Sequence, residues 1–138
     1  MITSWGVEVV TEIRMVQPDG TGDVAIPSRL AYRPVCDPFA VFLTFQPNWQ
    51  EPVEWIFARV LLAAGMDGPA GIGDVRIWPG RHGSLAVALS SSDGNALCML
   101  RRPLVATFLR QSYAVVARGS EHLQLDLDDE LAALLEDN

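Results

Sequence analysis

The sequence contains few side chains that could perform covalent or metal chemistry: two cysteines, Cys36 and Cys98, and two histidines, His82 and His122. A thiol nucleophile requires a nearby imidazole, and a structural zinc site usually takes its ligands from closely spaced pairs. These four residues are far apart along the chain, and none is surrounded by a recognisable motif. Cys98 lies in an apolar segment, as small core residues do. We therefore expect no catalytic residue, no metal site and no bound cofactor.

A glycine-rich segment, "GPAGIGDVRIWPG" at 68–80, raises the question of a phosphate-binding loop. A dinucleotide-binding fingerprint has a strand before its glycines and a helix after them. Here the helical pattern comes first and the strand pattern follows. A P-loop also needs a lysine, and the chain has none. We interpret Gly68, Gly71 and Gly73 as a helix-to-strand connection that uses positive φ angles.

Glu54 is a carboxylate within an apolar strand pattern, between Val53 and Trp55. A carboxylate in such a place is either buried with a partner or turned outward to solvent. The favoured interpretation is structural, with Arg59 or Arg76 as the residue that neutralises it.

Trp49 is the clearest candidate for a partner contact. It lies in the predicted loop "QPNWQEP" at 46–52, among polar residues and prolines. An aromatic ring exposed in such a loop often anchors an interface. We favour contact with a partner or with another copy of the chain, and the alternative is a loop that folds back over the sheet.

The negative charge of the chain is concentrated at its C-terminal end. The formal net charge is −7, yet residues 1–120 contain ten arginines and ten acidic residues, while residues 121–138 contain seven acidic residues and no arginine. The segment 126–137 predicts an amphipathic helix with Asp126 as N-cap and Asp128, Asp129 and Glu130 in its first turn, where the helix dipole favours anions. This helix could dock a basic partner or be a solvated surface. Nucleic acid is an unfavoured partner, because binding to phosphates requires cations.

Length and composition indicate one globular domain over residues 1–138. Hydrophobic residues make up 49% of the chain and charged residues 20%, which is ordinary globular composition, and the chain is long enough to bury a core. No apolar run approaches the ~18 residues that cross a bilayer. The N-terminal segment lacks the pattern of a secretory signal. We expect a cytoplasmic protein without a membrane span.

Periodicity predicts strands separated by turns, with helices following the strands. Pro27 suggests that the second strand lies at an edge or contains a bulge, and 115–125 is predicted as a loop or a short extended piece. Helices and strands do not alternate strictly, so the prediction is an antiparallel α+β fold. The predicted strands are 5–15, 24–32, 39–45, the segment from 53, 74–79, 85–89 and 97–100, and the predicted helices are 58–66, a segment from Pro103, and the segment from Asp126.

Four blocks of the chain together resemble the SsgA-like proteins, the actinobacterial regulators of sporulation-specific cell division. The similarity covers nearly the whole chain, and within the family it is greatest to SsgB-type members. The long loop around Trp49 and the turn at 17–23 depart from the family pattern. The blocks are "DPFAVFLTF" at 37–45, "VEWIFARVLLAAGM" at 53–66, "GIGDVRIWP" at 71–79 and "DLDDELAALL" at 126–135.

The resemblance implies a fold and a function. Its fold would be a whirly-like domain of antiparallel sheets with about three helices, assembled as a trimer. Its function would be non-enzymatic, with the protein marking septum sites in sporulating cells and recruiting the division protein FtsZ together with an SsgA-like partner. Whirly-type domains elsewhere bind single-stranded nucleic acid, and this is the alternative function.

Overall fold

The computed structural model of this chain describes residues 2–3, 6–17, 19–48 and 50–136, and it describes their side chains except at 2, 3, 124, 126–129, 132 and 136. Within these ranges the chain forms eight strands and three helices. In chain order they are β1 (Ile2–Thr3), β2 (Gly6–Val16), β3 (Asp23–Tyr32), β4 (Ala40–Phe45), β5 (Val53–Ala58), α1 (Arg59–Gly65), β6 (Val75–Pro79), β7 (Ser84–Ser91), β8 (Gly94–Arg101), α2 (Arg102–Val115) and α3 (Glu121–Glu136).

All strand pairs are antiparallel, and the order across the sheet is β5-β4-β3-β2-β8-β7-β6, with β1 added beside β2. Two antiparallel groups, β2–β5 and β6–β8, are joined by a ladder of only three residue pairs, which runs from Arg14↔Met99 to Val16↔Leu97. By contrast, β2 pairs with β3 through ten residue pairs. The predicted antiparallel α+β fold is confirmed, and the two groups of strands form one continuous sheet.

Alternating side chains give the sheet one core face and one outer face. On β2, Val7 and Ile13 are buried while Glu8 and Val10 are exposed, the period of two that was expected from the sequence. The same alternation holds on β4, where Val41, Leu43 and Phe45 join the main core. Phe42 points to the outer face and packs with Ala31 and Ala40.

The core lies between the core face of the sheet and helices α1 and α2. Val105 and Phe108 of α2, Leu62 of α1 and Ile13 and Leu85 of the sheet are all fully buried in one cluster. Burying a side chain of this size contributes about 1.5–3 kcal/mol relative to exposure. Pro103 stands in the first turn of α2, as predicted, because its missing N–H leaves no helical hydrogen bond unmade there.

Two expectations about the early strands are wrong. Pro27 lies in β3, which is an interior strand, and it causes no break in the pairing with β2. The nitrogen of Pro27 faces β4, just beyond the end of the β3–β4 ladder at Ser28↔Phe45, so no ladder hydrogen bond is lost. On the same side, the Pro27 carbonyl accepts a hydrogen bond from the Gln46 N–H at 2.8 Å. Phe39, the first residue of the predicted third strand, lies outside β4 and is exposed.

Only one of the three predicted glycines has a positive φ angle. Gly71 has φ +92, and a side chain there would collide with the carbonyl oxygen of Val75. Gly68 and Gly73 do not have positive φ and have open space around them. The segment is a connection between α1 and β6, as expected, and its Ala70 bridges back to Ile77.

The last helix begins earlier than predicted. The expected N-cap, Asp126, is inside α3, and the helix begins at Glu121 in the segment that was predicted as a loop or extended piece. The reason is a contact that local patterns do not reveal. Glu121 accepts a hydrogen bond from the Gly119 N–H at 2.7 Å and pairs with Arg59, so it fixes the first turn at this point.

Replacing Gly65 by alanine should destabilise the fold. An added Cβ would lie 2.6 Å from Cβ of Ile77, a fully buried residue of β6. Overpacking of this kind costs about 1–3 kcal/mol, and this exceeds the roughly 1 kcal/mol that alanine gains over glycine in a helix. The free energy of unfolding, measured with urea, should fall. Gly68→Ala is the matched control, since nothing lies within reach of its added Cβ. Equal stability of both variants would contradict this packing.

Candidate partner-binding surface

The candidate nucleophiles and metal ligands do not come together in the fold. Cys36 is exposed and Cys98 is buried, and burial raises the pKa of the Cys98 thiol to about 12. Cys98 instead contacts the sulfur of Met15 at 3.5 Å, across the seam between the two groups of strands. In the described part of the chain, no three His, Cys, Asp or Glu residues are grouped so that they could hold a metal ion.

Arg59 is an unusual residue of the fold, and the sequence patterns did not predict its burial. Its side chain is 0% exposed. The guanidinium lies between two aromatic rings, 4.4 Å from the centre of Tyr32 and 4.2 Å from that of Tyr113. It donates hydrogen bonds of 3.0 Å to the carbonyl oxygens of Ser112 and Val116. These two carbonyls belong to the C-terminal end of α2, where the helix dipole is negative.

The compensating charge for Arg59 comes from Glu121. Nη2 of Arg59 lies 3.0 Å from Oε2 of Glu121, and both side chains are almost completely buried. Burial acts to raise the pKa of Glu121, but backbone hydrogen bonds, including that from Gly119, together with Arg59 hold it below its ordinary value. Tyr32 stays neutral beside the pair, because burial raises its pKa to about 12. This cluster is structural, since solvent and ligands do not reach it.

Glu54 has a different partner from those predicted. Arg59 pairs with Glu121, and Glu54 lies 3.8 Å from Nη1 of Arg33 on the outer face. Thr44 adds a hydrogen bond of 3.5 Å to the same carboxylate oxygen. Glu54 and Arg33 are both about half exposed, so the pair contributes little to stability and holds no reactive group.

An apolar cleft is a recess that could receive a side chain of a partner. It has a volume of about 180 Å³ and lies on the core face, at the end of the sheet where β2, β4 and β7 finish. Helices α1 and α2 start from the opposite end of the sheet and leave it open. Its walls are mainly apolar side chains, among them Met15, Ile26, Phe45, Trp55 and Leu89.

Part of the cleft wall comes from the loop that was predicted to contact a partner. Pro47 and Gln50 line it, together with Val53 at the start of β5. Trp49 itself lies outside the described residues, and its predicted role stays a prediction. The loop 46–52 nevertheless borders this apolar cleft, where an exposed aromatic side chain could anchor a partner.

A larger groove of about 350 Å³ is polar and lies where β2 and β8 diverge. Glu12, Arg14, His82 and Arg101 are among the residues that line it. They carry charges of both signs and are exposed to solvent. Neither cysteine lines the groove, and the hydroxyl of Ser84 in its wall donates a hydrogen bond to the Arg81 carbonyl at 2.6 Å, so it is not paired with an imidazole base.

Helix α3 carries the other predicted partner-binding residues. Glu130 is exposed, while the side chains of Asp128 and Asp129 lie outside the described part. On the apolar side of this predicted amphipathic helix, Leu131 is 58% exposed and Leu135 is 77% exposed. Leu123 belongs to the same side of the helix and is 53% exposed. Exposed leucines in such a row indicate a surface that something else covers.

Comparison with known proteins identifies the family of this chain. A family model described as "Streptomyces sporulation and cell division protein, SsgA" matches residues 26–121, more than half of the chain. The chain belongs to the SsgA family. This SsgA-family protein is 49% identical over 136 residues to the sporulation-specific cell division protein SsgB of Salinispora tropica, with 94% of this chain and 92% of that protein covered. The same-named protein of Streptomyces coelicolor is 44% identical over 113 residues, with 80% and 82% covered.

Solved structures agree with the family assignment. The crystal structure of an SsgA-like sporulation-specific cell division protein from Thermobifida fusca matches with a TM-score of 0.81 at 35% identity, covering 96% of this chain and 98% of that chain. The resemblance predicted from the four sequence blocks is thereby confirmed. Within the ranges that the structure describes, no helix of this SsgA-family protein is long and apolar enough to cross a membrane.

The two cysteines should differ sharply in reactivity. A thiol reagent such as an aromatic disulfide should label Cys36 quickly in the native protein, because it is exposed, and Cys98 only after unfolding, because it is buried and its pKa is raised to about 12. Absorbance should therefore report one reactive thiol per chain, and two in denaturant. The Cys36→Ser variant should show none until it unfolds. Fast labelling of Cys98 in that variant would contradict its burial.

Glu121→Gln should strongly destabilise the protein, because it leaves the buried charge of Arg59 without a counter-charge. Breaking a buried pair costs about 3–5 kcal/mol, and the retained amide should keep the loss near the lower end. Glu130→Gln, an exposed change on the same helix, should stay within about 0.5 kcal/mol of the wild type. Urea unfolding at neutral pH measures both.

The effect of Glu121→Gln should also depend on pH. The folded-state pKa of Glu121 is held below its ordinary value of 4.5, so its contribution is complete above about pH 4.5 and is lost as the pH falls through the lower folded-state pKa. The difference in unfolding free energy between wild type and variant should therefore shrink in acid. A difference that stayed constant down to pH 3 would refute the ion pair as its cause.

Proposed function

We propose that this protein acts in sporulation-specific cell division as a non-enzymatic scaffold, which brings FtsZ and an SsgA-like partner to septum sites. The support comes from its membership of the SsgA family and from relatives named sporulation-specific cell division proteins, up to 49% identical to it. The proposed location is the cytoplasmic side of the division septum. The proposed domain is the whole chain, residues 1–138.

The observation that carries the proposal is the open apolar cleft beside loop 46–52. It is bordered by Val53 and Trp55 of the edge strand β5, so a partner can approach it from the side of the sheet. The cysteines, the candidate nucleophiles, do not reach it: Cys98 is fully buried and neither cysteine lines it. A surface of this kind binds and releases another protein and performs no reaction on it.

The cleft suggests how binding would occur. An apolar side chain of the division protein would enter the cleft, and Trp49 would add contact area from the adjoining loop. Full burial of one large apolar side chain is worth about 1.5–3 kcal/mol, so a single site would be weak. Several linked copies of the scaffold on one FtsZ polymer would multiply that affinity by avidity. Asp128, Asp129 and Glu130 are proposed as a second partner-facing surface.

Nucleic-acid binding is the weaker alternative. Three arginines on the outer face of the first group of strands are neutralised within the fold: Arg14 lies beside Asp23, Arg29 beside Glu8 and Arg33 beside Glu54. The unbalanced charge of the chain is the acidic C-terminal segment. Affinity for single strands depends on a cationic groove next to stacking aromatic rings, and these arginine–carboxylate pairs remove most of such a groove.

Co-sedimentation with FtsZ polymers tests the proposal. The wild-type protein should be retained with the polymers at low and moderate salt. Val53→Glu introduces a charge at the mouth of the cleft and should weaken retention by about tenfold, equivalent to 1.4 kcal/mol. Val10→Glu is the matched control: the same substitution at an exposed position of the outer face should leave retention unchanged. No retention of the wild-type protein at either salt concentration would refute direct recruitment.

A further inference from the structure

The outer face of the second group of strands is an unusually apolar surface. Its side chains align in rows across the sheet, because Ala88 pairs with Arg76 and Leu97, and Ala86 pairs with Trp78 and Met99. The rows continue onto β2, where Leu97 meets Val16 and Met99 meets Arg14. The large side chains of this surface are all partly exposed. We call it the outer platform: Val16, Trp78, Ala86, Ala88, Leu97 and Met99.

Arginines stand around the outer platform. Arg76 ends one row at the β6 edge, Arg14 ends the next row on β2, and Arg101 follows Met99 on the same face of β8. Arg14 lies 3.6 Å from Asp23, and Glu12 follows on the same face of β2. Arg76 and Arg101 have no carboxylate within ion-pair distance in the described part of the chain. An incoming acidic segment would therefore find two free cations beside an apolar surface.

The chain itself contains a segment of the matching chemistry. Helix α3 exposes Leu123, Leu131 and Leu135 on one side. Beyond the buried Glu121, residues 122–138 include six acidic residues and no arginine. Two such helices would repel one another, so α3 is poorly suited to pair with itself. It is well suited to an apolar surface edged by arginine.

The α3 of the same copy cannot cover the outer platform. Its first residue, Glu121, is fixed to Arg59, which is buried with Tyr32 and α2 on the core side of the sheet. The sheet lies between that anchor and the platform. A second copy has no such restriction. The outer platform is also wide enough for a helix. A helix is about 10 Å wide with its side chains, and the four platform strands, β6, β7, β8 and β2, spaced by about 4.8 Å, span roughly 14 Å.

We propose that α3 of one copy lies across the outer platform of a second copy, with its leucines on Trp78, Leu97 and Met99 and its carboxylates near Arg76 and Arg101. The contact is heterologous, because it joins two different surfaces, and each copy carries one α3 and one outer platform. Such contacts close into a ring when the rotation permits. This inference deepens the proposed scaffold function by stating how its copies would join, and it does not depend on FtsZ.

The solution mass of the full chain gives the first test. By light scattering after size-exclusion chromatography, the wild-type protein should be an oligomer, and Leu131→Glu in α3 and Leu97→Glu in the platform should each reduce the mass to one chain of 15.1 kDa. Arg76→Glu, a change at an exposed residue, should weaken the same contact. Leu125→Glu, on another side of α3, and Val10→Glu, on the outer face of the first group of strands, should leave the mass unchanged.

Mixing the two dissociated variants gives the decisive test. Leu97→Glu keeps an intact helix and Leu131→Glu keeps an intact platform, so together they can form one contact and should give a heterodimer of twice 15.1 kDa. A monomeric wild-type protein, or a mixture that stays monomeric while the wild type assembles, would overturn the helix-to-platform contact. FtsZ retention by such a protein would leave the scaffold proposal intact, so the two failures can be told apart.

Discussion

A guanidinium group that solvent does not reach must find its counter-charge and its hydrogen-bond acceptors inside the protein. In this fold that requirement falls on Arg59 at the start of α1, and three other elements satisfy it. Tyr32 comes from β3, the carbonyls of Ser112 and Val116 from the end of α2, and Glu121 from the start of α3. Arginine suits this place because its planar fork donates in several directions while its faces stack on aromatic rings. The buried charge thus sets where the last two helices lie relative to the sheet.

The same cluster explains the contrast between the two ends of the molecule. Near Arg59 the sheet is covered by α1 and α2 and the core is dense. At the far end, beyond Met15 and Leu89, the core face opens into the apolar cleft. The helices start where β5 and β8 finish, so they cover one end of the sheet and leave the other uncovered. Position along the strands therefore decides which apolar residues serve the core and which are available to a partner.

Sequence patterns predicted the strands well and the charged core poorly. Period-two alternation identified β2 and β4, and turn residues located the hairpins, because these signals act between near neighbours. The pairing of Arg59 with Glu121 joins residues 62 positions apart, and no local pattern encodes such a partner. That one contact also explains why α3 starts at Glu121 and not at Asp126. For the candidate surface, the sequence pointed to loop 46–52, but the cleft beside it is formed by residues from six strands that only the folded sheet brings together.

The narrow seam between β2 and β8 has a consequence for how the protein is divided. Three residue pairs join the two groups of strands, and in sequence each group looks like a sheet followed by a helix, as though one unit had been copied. Yet α2, encoded after the second group, packs on Ile13 and its neighbours in the first. A polypeptide containing either group of strands alone would therefore lack part of the hydrophobic core that covers it in the full chain. We therefore expect the two groups to fold together, and a cut between α1 and β6 would separate α2 from the strands of the first group that it packs on.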